Sequence, residues 1–91
     1  MEPFEIQFRF DGKNYKFKVE RISLTQRDEV FRVRAKPRDV LLSSNRPFFR
    51  NRQIRHRRPT WEQQGERIHN VSFVDALTDA IEDHLIKTGQ F

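Results

Sequence analysis

Arg46 to Trp61 reads RPFFRNRQIRHRRPTW and holds the residues best suited to recognition chemistry. Arginines stand at 46, 50, 52, 55, 57 and 58, His56 lies among them, and no acidic side chain interrupts the run. A guanidinium grips phosphate or carboxylate through paired N–H groups and stacks on flat rings, which a lysine ammonium does not do. Every cation in the run is Arg, while every Lys lies elsewhere. Phe48, Phe49 and Trp61 punctuate it, and aromatics beside arginines suit single-stranded nucleic acid, whose bases stack while cations follow the backbone. The expected anion or nucleic-acid site is therefore Arg46, Arg50, Arg52, Arg55, Arg57 and Arg58 on phosphates, with Trp61, joined by Phe48 or Phe49, stacking on bases. A plainer reading stands beside it. Phe48 and Phe49 could be core, Trp61 could pack under a sheet, and the arginines could pair with Asp75, Asp79, Glu82 and Asp83, within the chain or across a homodimer. A basic patch is an electrostatic footprint and not a readout.

Catalytic chemistry finds little to work with. The chain has no cysteine, and its three glycines are isolated, so no thiol nucleophile and no phosphate-cradling Gly-rich loop is present. His56, His69 and His84 share no metal-ligand spacing. Asp79, Asp83 and His84 could crowd one helical face, but a single helix lacks the second element that completes a cation's shell. Glu62 and Glu66 read as surface groups, since nothing nearby in sequence would shift their pKa values. The expectation is a non-enzymatic protein with no catalytic residue, no metal site and no cofactor. Recognised nucleic-acid modules are missing too: there is no RNP-type signature, no GXXG loop and no zinc-finger spacing, and one convincing helix cannot make a helix-turn-helix.

Charge is unevenly spread over the 91 residues and their net +5. Residues 1–45 carry ten basic and seven acidic groups, +3; residues 46–61 carry six and none, +6; residues 62–91 carry two and six, −4. A basic middle against an acidic C-terminal third allows two kinds of partner: nucleic acid, or an acidic protein surface that includes a second copy of the chain. Anionic lipid is a weaker third, because the one good helix has an acidic face. MEPFEIQF lacks the basic flank and apolar run of a signal peptide, and no stretch is apolar for long enough to cross a bilayer. Those features, with the lack of cysteine, set a cytoplasmic expectation.

The elements that must position the run follow from periodicity. A chain of this length makes one domain, 1–91. Phe4, Ile6, Phe8 and Phe10 alternate with polar residues, as do Tyr15, Phe17 and Val19; a period of two means half-buried strands. Asp11-Gly12 between them is a hairpin turn. A two-residue turn sets Phe8 opposite Tyr15 and Ile6 opposite Phe17, and a four-residue turn shifts the pairing by two without changing the face. Ile22 and Leu24 change parity, so the strand ends or bulges near Arg21. Phe31, Val33 and Ala35 give a third strand, Lys36-Pro37-Arg38-Asp39 a turn, and Val40 and Leu42 a fourth strand. Residues 46–60 are expected as an Arg-rich loop bracketed by Pro47 and Pro59, pinned to the core by Phe48, Phe49 and Ile54 with the arginines outside. Trp61 to His69 reads as a hairpin or short edge strand, with Gly65 at a turn and Ile68 inward. From Ser72 the period becomes 3.6, and Phe73, Val74, Leu77, Ala80, Ile81 and Leu85 make one stripe. A helix over 72–88 follows, with Ser72 as N-cap, Asp75 in the capping-box position and Gly89 past its end. The fold class is α+β: an antiparallel sheet of four to five strands, with two N-terminal hairpins, and one C-terminal helix packed on one face.

Overall fold

The computed structural model describes residues 1–35, 38–54, 57–65 and 67–90. Five strands follow in order: β1 (Phe4–Phe10), β2 (Lys13–Leu24), β3 (Glu29–Ala35), β4 (Arg38–Ser44) and β5 (Trp61–Gln64). A short helix α1 (Arg46–Asn51) separates the last two strands, and α2 (Val71–Lys87) ends the fold. Each strand pairs antiparallel with its neighbour in sequence, so the sheet is a meander ordered β1-β2-β3-β4-β5. The α+β class and the two N-terminal hairpins are as the alternation predicts.

Asp11 and Gly12 form the first turn with φ of 51° and 77°. Two left-handed residues in a two-residue loop are the type I′ geometry, whose twist matches that of the flanking strands. The register is accordingly the two-residue one: Phe8 faces Tyr15, Ile6 faces Phe17 and Phe4 faces Val19. The parity change in β2 is a bulge, not an end. Arg21 pairs with Phe31 and Ser23 with Val30, which leaves Ile22 without a cross-strand partner. The Lys36-Pro37 turn lies outside the described residues, and Arg38 and Asp39 already belong to β4.

The core sits between one face of the sheet and α2. Ile6, Val19, Phe31, Val33, Val40 and Leu42 meet Leu77, Ile81 and Leu85, and all nine are buried. At the hairpin end, Phe73 of α2 lies among Phe8, Phe10, Tyr15 and Phe17, with ring centroids 5.1–6.4 Å apart. The contacts are tilted or edge-on, as the ring quadrupoles prefer. His84 stacks on Phe4 at 4.2 Å, with the two rings 5° from parallel, so it packs against a ring instead of joining Asp79 and Asp83.

The start of α2 corrects the sequence expectation. Its N-cap is Asn70, whose Oδ1 accepts the Phe73 N–H at 3.1 Å. Asn caps as well as Ser, and starting there places Val71 and Ser72 in the exposed first turn. The other end closes as a Schellman turn. Gly89, at φ 72°, donates its N–H to Ile86 O, and Gln90 donates to Leu85 O at 2.8 Å. β5 is an edge strand on β4. The Gln63 side chain holds the segment after Gly65, donating to Ile68 O at 3.0 Å and accepting from Ile68 N at 2.7 Å, which turns Ile68 toward the core. Among the described residues, no helix is long and apolar enough to cross a membrane.

Candidate anion-binding cleft

The excursion between β4 and β5 is closed at its neck. Asn45 N donates to Thr60 O at 3.4 Å, and Asn45 Oδ1 accepts from Thr60 N at 2.7 Å. Inside the neck the chain does not run as a plain loop. Pro47 in the first turn of α1 brings a φ already suited to a helix and an absent N–H that has no partner to lose there. The helix then stops in a second Schellman turn: Gln53 N donates to Arg50 O at 3.1 Å and Ile54 N to Phe49 O at 2.9 Å. The left-handed position, φ 56°, is filled by Gln53 and not by glycine. A side chain there is strained by about 1–2 kcal/mol.

Phe48 and Phe49 are half-buried and touch each other edge-on, but neither joins the core. Around Phe48, α1 is tied to the β2–β3 turn instead. Phe48 N donates to Arg27 O at 3.2 Å, Asn51 Nδ2 donates to Gln26 O at 2.9 Å, and the Arg52 guanidinium lies 4.2 Å from the Phe48 ring centre.

The arginines divide into three groups that the sequence does not distinguish. Arg46 is inside: its side chain is 7% exposed, and it meets a Glu29 carboxylate that is 0% exposed, Nη1 to Oε2 at 2.6 Å. Its Nη2 also donates to Gln90 O at 2.5 Å, and Arg21 reaches the other Glu29 oxygen at 3.5 Å. Burial pushes the Glu29 carboxyl up, opposed by Arg46 and Arg21, and burial pulls Arg46 down, opposed by Glu29. Arg46 is thus a structural cation, not one offered outward as expected. The signal for this was in β3, where Glu29 shares the parity of buried Phe31 and Val33 and so points into the core.

Arg58 is the second kind. It is 77% exposed, and its Nη2 donates at 3.1 Å to both Asp79 and Glu82 of α2. Those bonds, first to Glu82 and then to Asp79, hold its pKa above the usual arginine value. Glu82 also accepts the Trp61 indole N–H at 2.5 Å, while the Trp61 ring lies 5.7 Å from Phe31. Trp61 therefore joins sheet to helix, and its polar edge is already engaged.

Arg50, Arg52 and Arg57 are the third kind: exposed, and without a carboxylate partner among the described residues. Arg55 lies outside the described residues, as do His56 and Glu66. Arg50 and Arg57 border a cleft of about 420 Å³ between α1, residues 53, 54 and 57–59 and the C-terminal half of α2. Phe49, Ile54, Pro59 and Ile86 supply its apolar wall, while Gln53, Arg58 and Glu82 add polar groups. A volume of that size is in the range of small-molecule sites. Periodicity could not reveal this cleft, because Gln53, Glu82 and Ile86 border it from distant parts of the chain. Among the described residues, no group of His, Asp or Glu is placed to hold a metal ion. No protein-family model matches the chain, and no curated protein or solved structure shows significant similarity to it.

Proposed function

We propose that this chain is a small non-enzymatic binding domain whose Arg-bearing excursion engages an anionic polymer, with single-stranded RNA or DNA as the leading partner. The observation that carries the reading is the contrast among the arginines. Arg46 and Arg58 are committed to carboxylates of the chain itself, whereas exposed Arg50, Arg52 and Arg57 have none among the described residues. The Arg52 guanidinium lies 4.2 Å over the Phe48 ring centre, a cation–π pairing that leaves N–H groups available to phosphate. The titratable groups bordering the cleft are arginines and Glu82, and both Glu82 oxygens accept hydrogen bonds. That arrangement supports binding over acid–base turnover.

Fluorescence anisotropy of labelled single-stranded oligonucleotides at several salt concentrations tests this. Three arginines on phosphates give a slope of log K against log salt of about −2, and six would give about −4. A binding constant indifferent to salt, or no binding at low salt, overturns the proposal.

The Arg58 contacts favour a second reading. Arg58 alone already pairs with Asp79 and Glu82 of α2, and an exchange of such pairs between two copies, with exposed Asp75 and Asp83 added, would make a dimer. A monomeric mass in sedimentation at low salt and high concentration removes that reading.

A further inference from the structure

We infer that two copies of this chain pair through the free edge of β1, antiparallel about a two-fold axis at Gln7, so that two five-stranded sheets become one. The inference does not depend on what the arginines of the excursion bind. β1 and β5 are the two edges of the sheet. β5 is four residues long, whereas β1 runs for seven with an unbroken register against β2. Edge strands are usually blunted by a bulge, a proline, an inward-pointing charge or shortness, and β1 has none of these. The register tells which of its backbone groups are free. In a two-residue hairpin, Phe10 and Lys13 are the hydrogen-bonded pair that closes the turn, and the pattern then alternates. Phe8, Ile6 and Phe4 therefore bond to β2, while the N–H and C=O groups of Glu5, Gln7 and Arg9 point away from it. Among the described residues, no turn or loop backbone bonds to them.

The strand itself, FEIQFRF, selects a second copy as the occupant. Turned about Gln7, it sets Glu5 opposite Arg9 of the other copy and Arg9 opposite Glu5, so each charge meets its opposite. A strand of one charge sign would satisfy only one end. Glu5 and Arg9 are both exposed. Glu5 has a loose contact with Lys16 at 3.8 Å, and Arg9 has no carboxylate partner among the described residues. On the other face, Phe4 meets Phe10 and Ile6 meets Phe8, in the non-hydrogen-bonded pairs whose side chains approach most closely. Phe4, Phe8 and Phe10 are half-buried, so they retain apolar surface that the pairing covers. The neighbouring registers match less well. A dyad at Ile6 sets Arg9 opposite Pro3, which has no N–H, and a dyad at Phe8 sets Glu5 opposite Asp11. α2 runs beside this edge, with Phe73 on Phe8 and Phe10 and His84 on Phe4. Ala80 shares their helical stripe, so a second helix brought in there meets a small side chain.

Sedimentation equilibrium of the whole chain at low salt, from low to high micromolar concentration, tests this. The expected result is a monomer–dimer equilibrium. Glu5→Arg and Arg9→Glu each set like charges opposite one another at both ends of the pairing, and each should raise the dissociation constant about tenfold or more. An equimolar mixture of the two single variants should recover the wild-type affinity as a heterodimer, because one strand is then wholly basic and the other wholly acidic. Gln7→Pro removes only an outward N–H, so it should abolish the dimer while circular dichroism shows the sheet retained. A monomer at every concentration overturns the inference, and that result needs no variant to fold. A dimer that the single variants and Gln7→Pro leave unchanged also overturns it and puts the contact elsewhere, an exchange of the Arg58 pairs included. So does a mass that grows past the dimer with concentration, since a two-fold pairing closes on itself.

Discussion

Replacing Arg46 with methionine removes one half of the only ion pair whose two side chains are both buried among the described residues. Glu29 is 0% and Arg46 7% exposed, so the cost is not that of a surface salt bridge. The stranded carboxylate keeps Arg21, but only at 3.5 Å. The lost contacts include the 2.6 Å bond to Glu29 and the 2.5 Å bond that ties Gln90 to α1. Breaking one side of a buried pair costs about 3–5 kcal/mol, and Arg21 moves the expectation toward about 3. A domain of this size holds roughly 5–15 kcal/mol in all. At about 4–8 °C per kcal/mol, the melting temperature should fall by at least ~12 °C. Urea unfolding followed by Trp61 fluorescence and by circular dichroism measures this. Arg57→Ala, at an exposed position without a carboxylate partner among the described residues, is the control and should stay within about 0.5 kcal/mol. Glu29→Leu with Arg46→Met should recover most of the loss, because an apolar pair of matched volume does not leave a charge in the core. If Arg46→Met and Arg57→Ala shift the midpoint alike, or if the double variant costs the sum of its parts, the assignment of Arg46 to the interior is refuted.

Other expectations can be checked on the same preparations. Gln53→Gly should stabilise the protein by about 1 kcal/mol, since glycine takes φ 56° without strain; an unchanged urea midpoint would mean the turn relaxes in solution. Gly12→Val should destabilise the first hairpin by at least ~1 kcal/mol, because a β-branched residue resists φ 77° although nothing lies within 4 Å of its Cβ; an unaltered melting temperature would contradict the turn assignment. Stability should peak on the mildly acid side of neutrality. The Glu29 carboxyl is raised above its ordinary 4.5, so its contribution is complete below that value and is lost as pH climbs through the raised one. Glu20 is lowered, chiefly by the Arg32 hydrogen bond, so its contribution is present above 4.5 and is lost as pH falls through the lowered value. Urea midpoints that rise steadily from about pH 4.5 to 7 would oppose the Glu29 assignment, and Glu20→Gln should flatten the decline on the acid side.

Elements with local causes were legible in the chain. Asp11-Gly12 supplies its own turn, the alternation on either side supplies the face, and together they set the register of β1 and β2. The stripe of α2 is equally local, and only its cap moved, to Asn70, because two good capping residues lie two positions apart. What escaped the sequence depends on meetings across the fold. Six arginines of identical chemistry look alike until Glu29 takes Arg46 inward and Asp79 with Glu82 takes Arg58. Likewise, Phe48 and Phe49 carry enough apolar surface to be core, yet the neck at Asn45 and Thr60 swings α1 outward over the β2–β3 turn. The last turn of α1 could not be read because its left-handed position holds Gln53, where pattern reasoning waits for glycine.

The neck also bears on the order in which the sheet assembles. Four strands follow one another with short connections, so their pairing contacts are local in sequence. β5 is different, since the whole of residues 45–60 separates it from β4. Loop-closure entropy grows by about 0.6 kcal/mol for each doubling of length, so this last pairing costs roughly 2 kcal/mol more than closing a two-residue turn. Asn45, Thr60, Phe48 and Trp61 offset that cost through the contacts described above. The neck contacts between Asn45 and Thr60 therefore couple the start of β5 to the start of the excursion. If the excursion binds an anion as proposed, hydrogen exchange at residues 61–64 should slow on binding and report on it from outside the cleft.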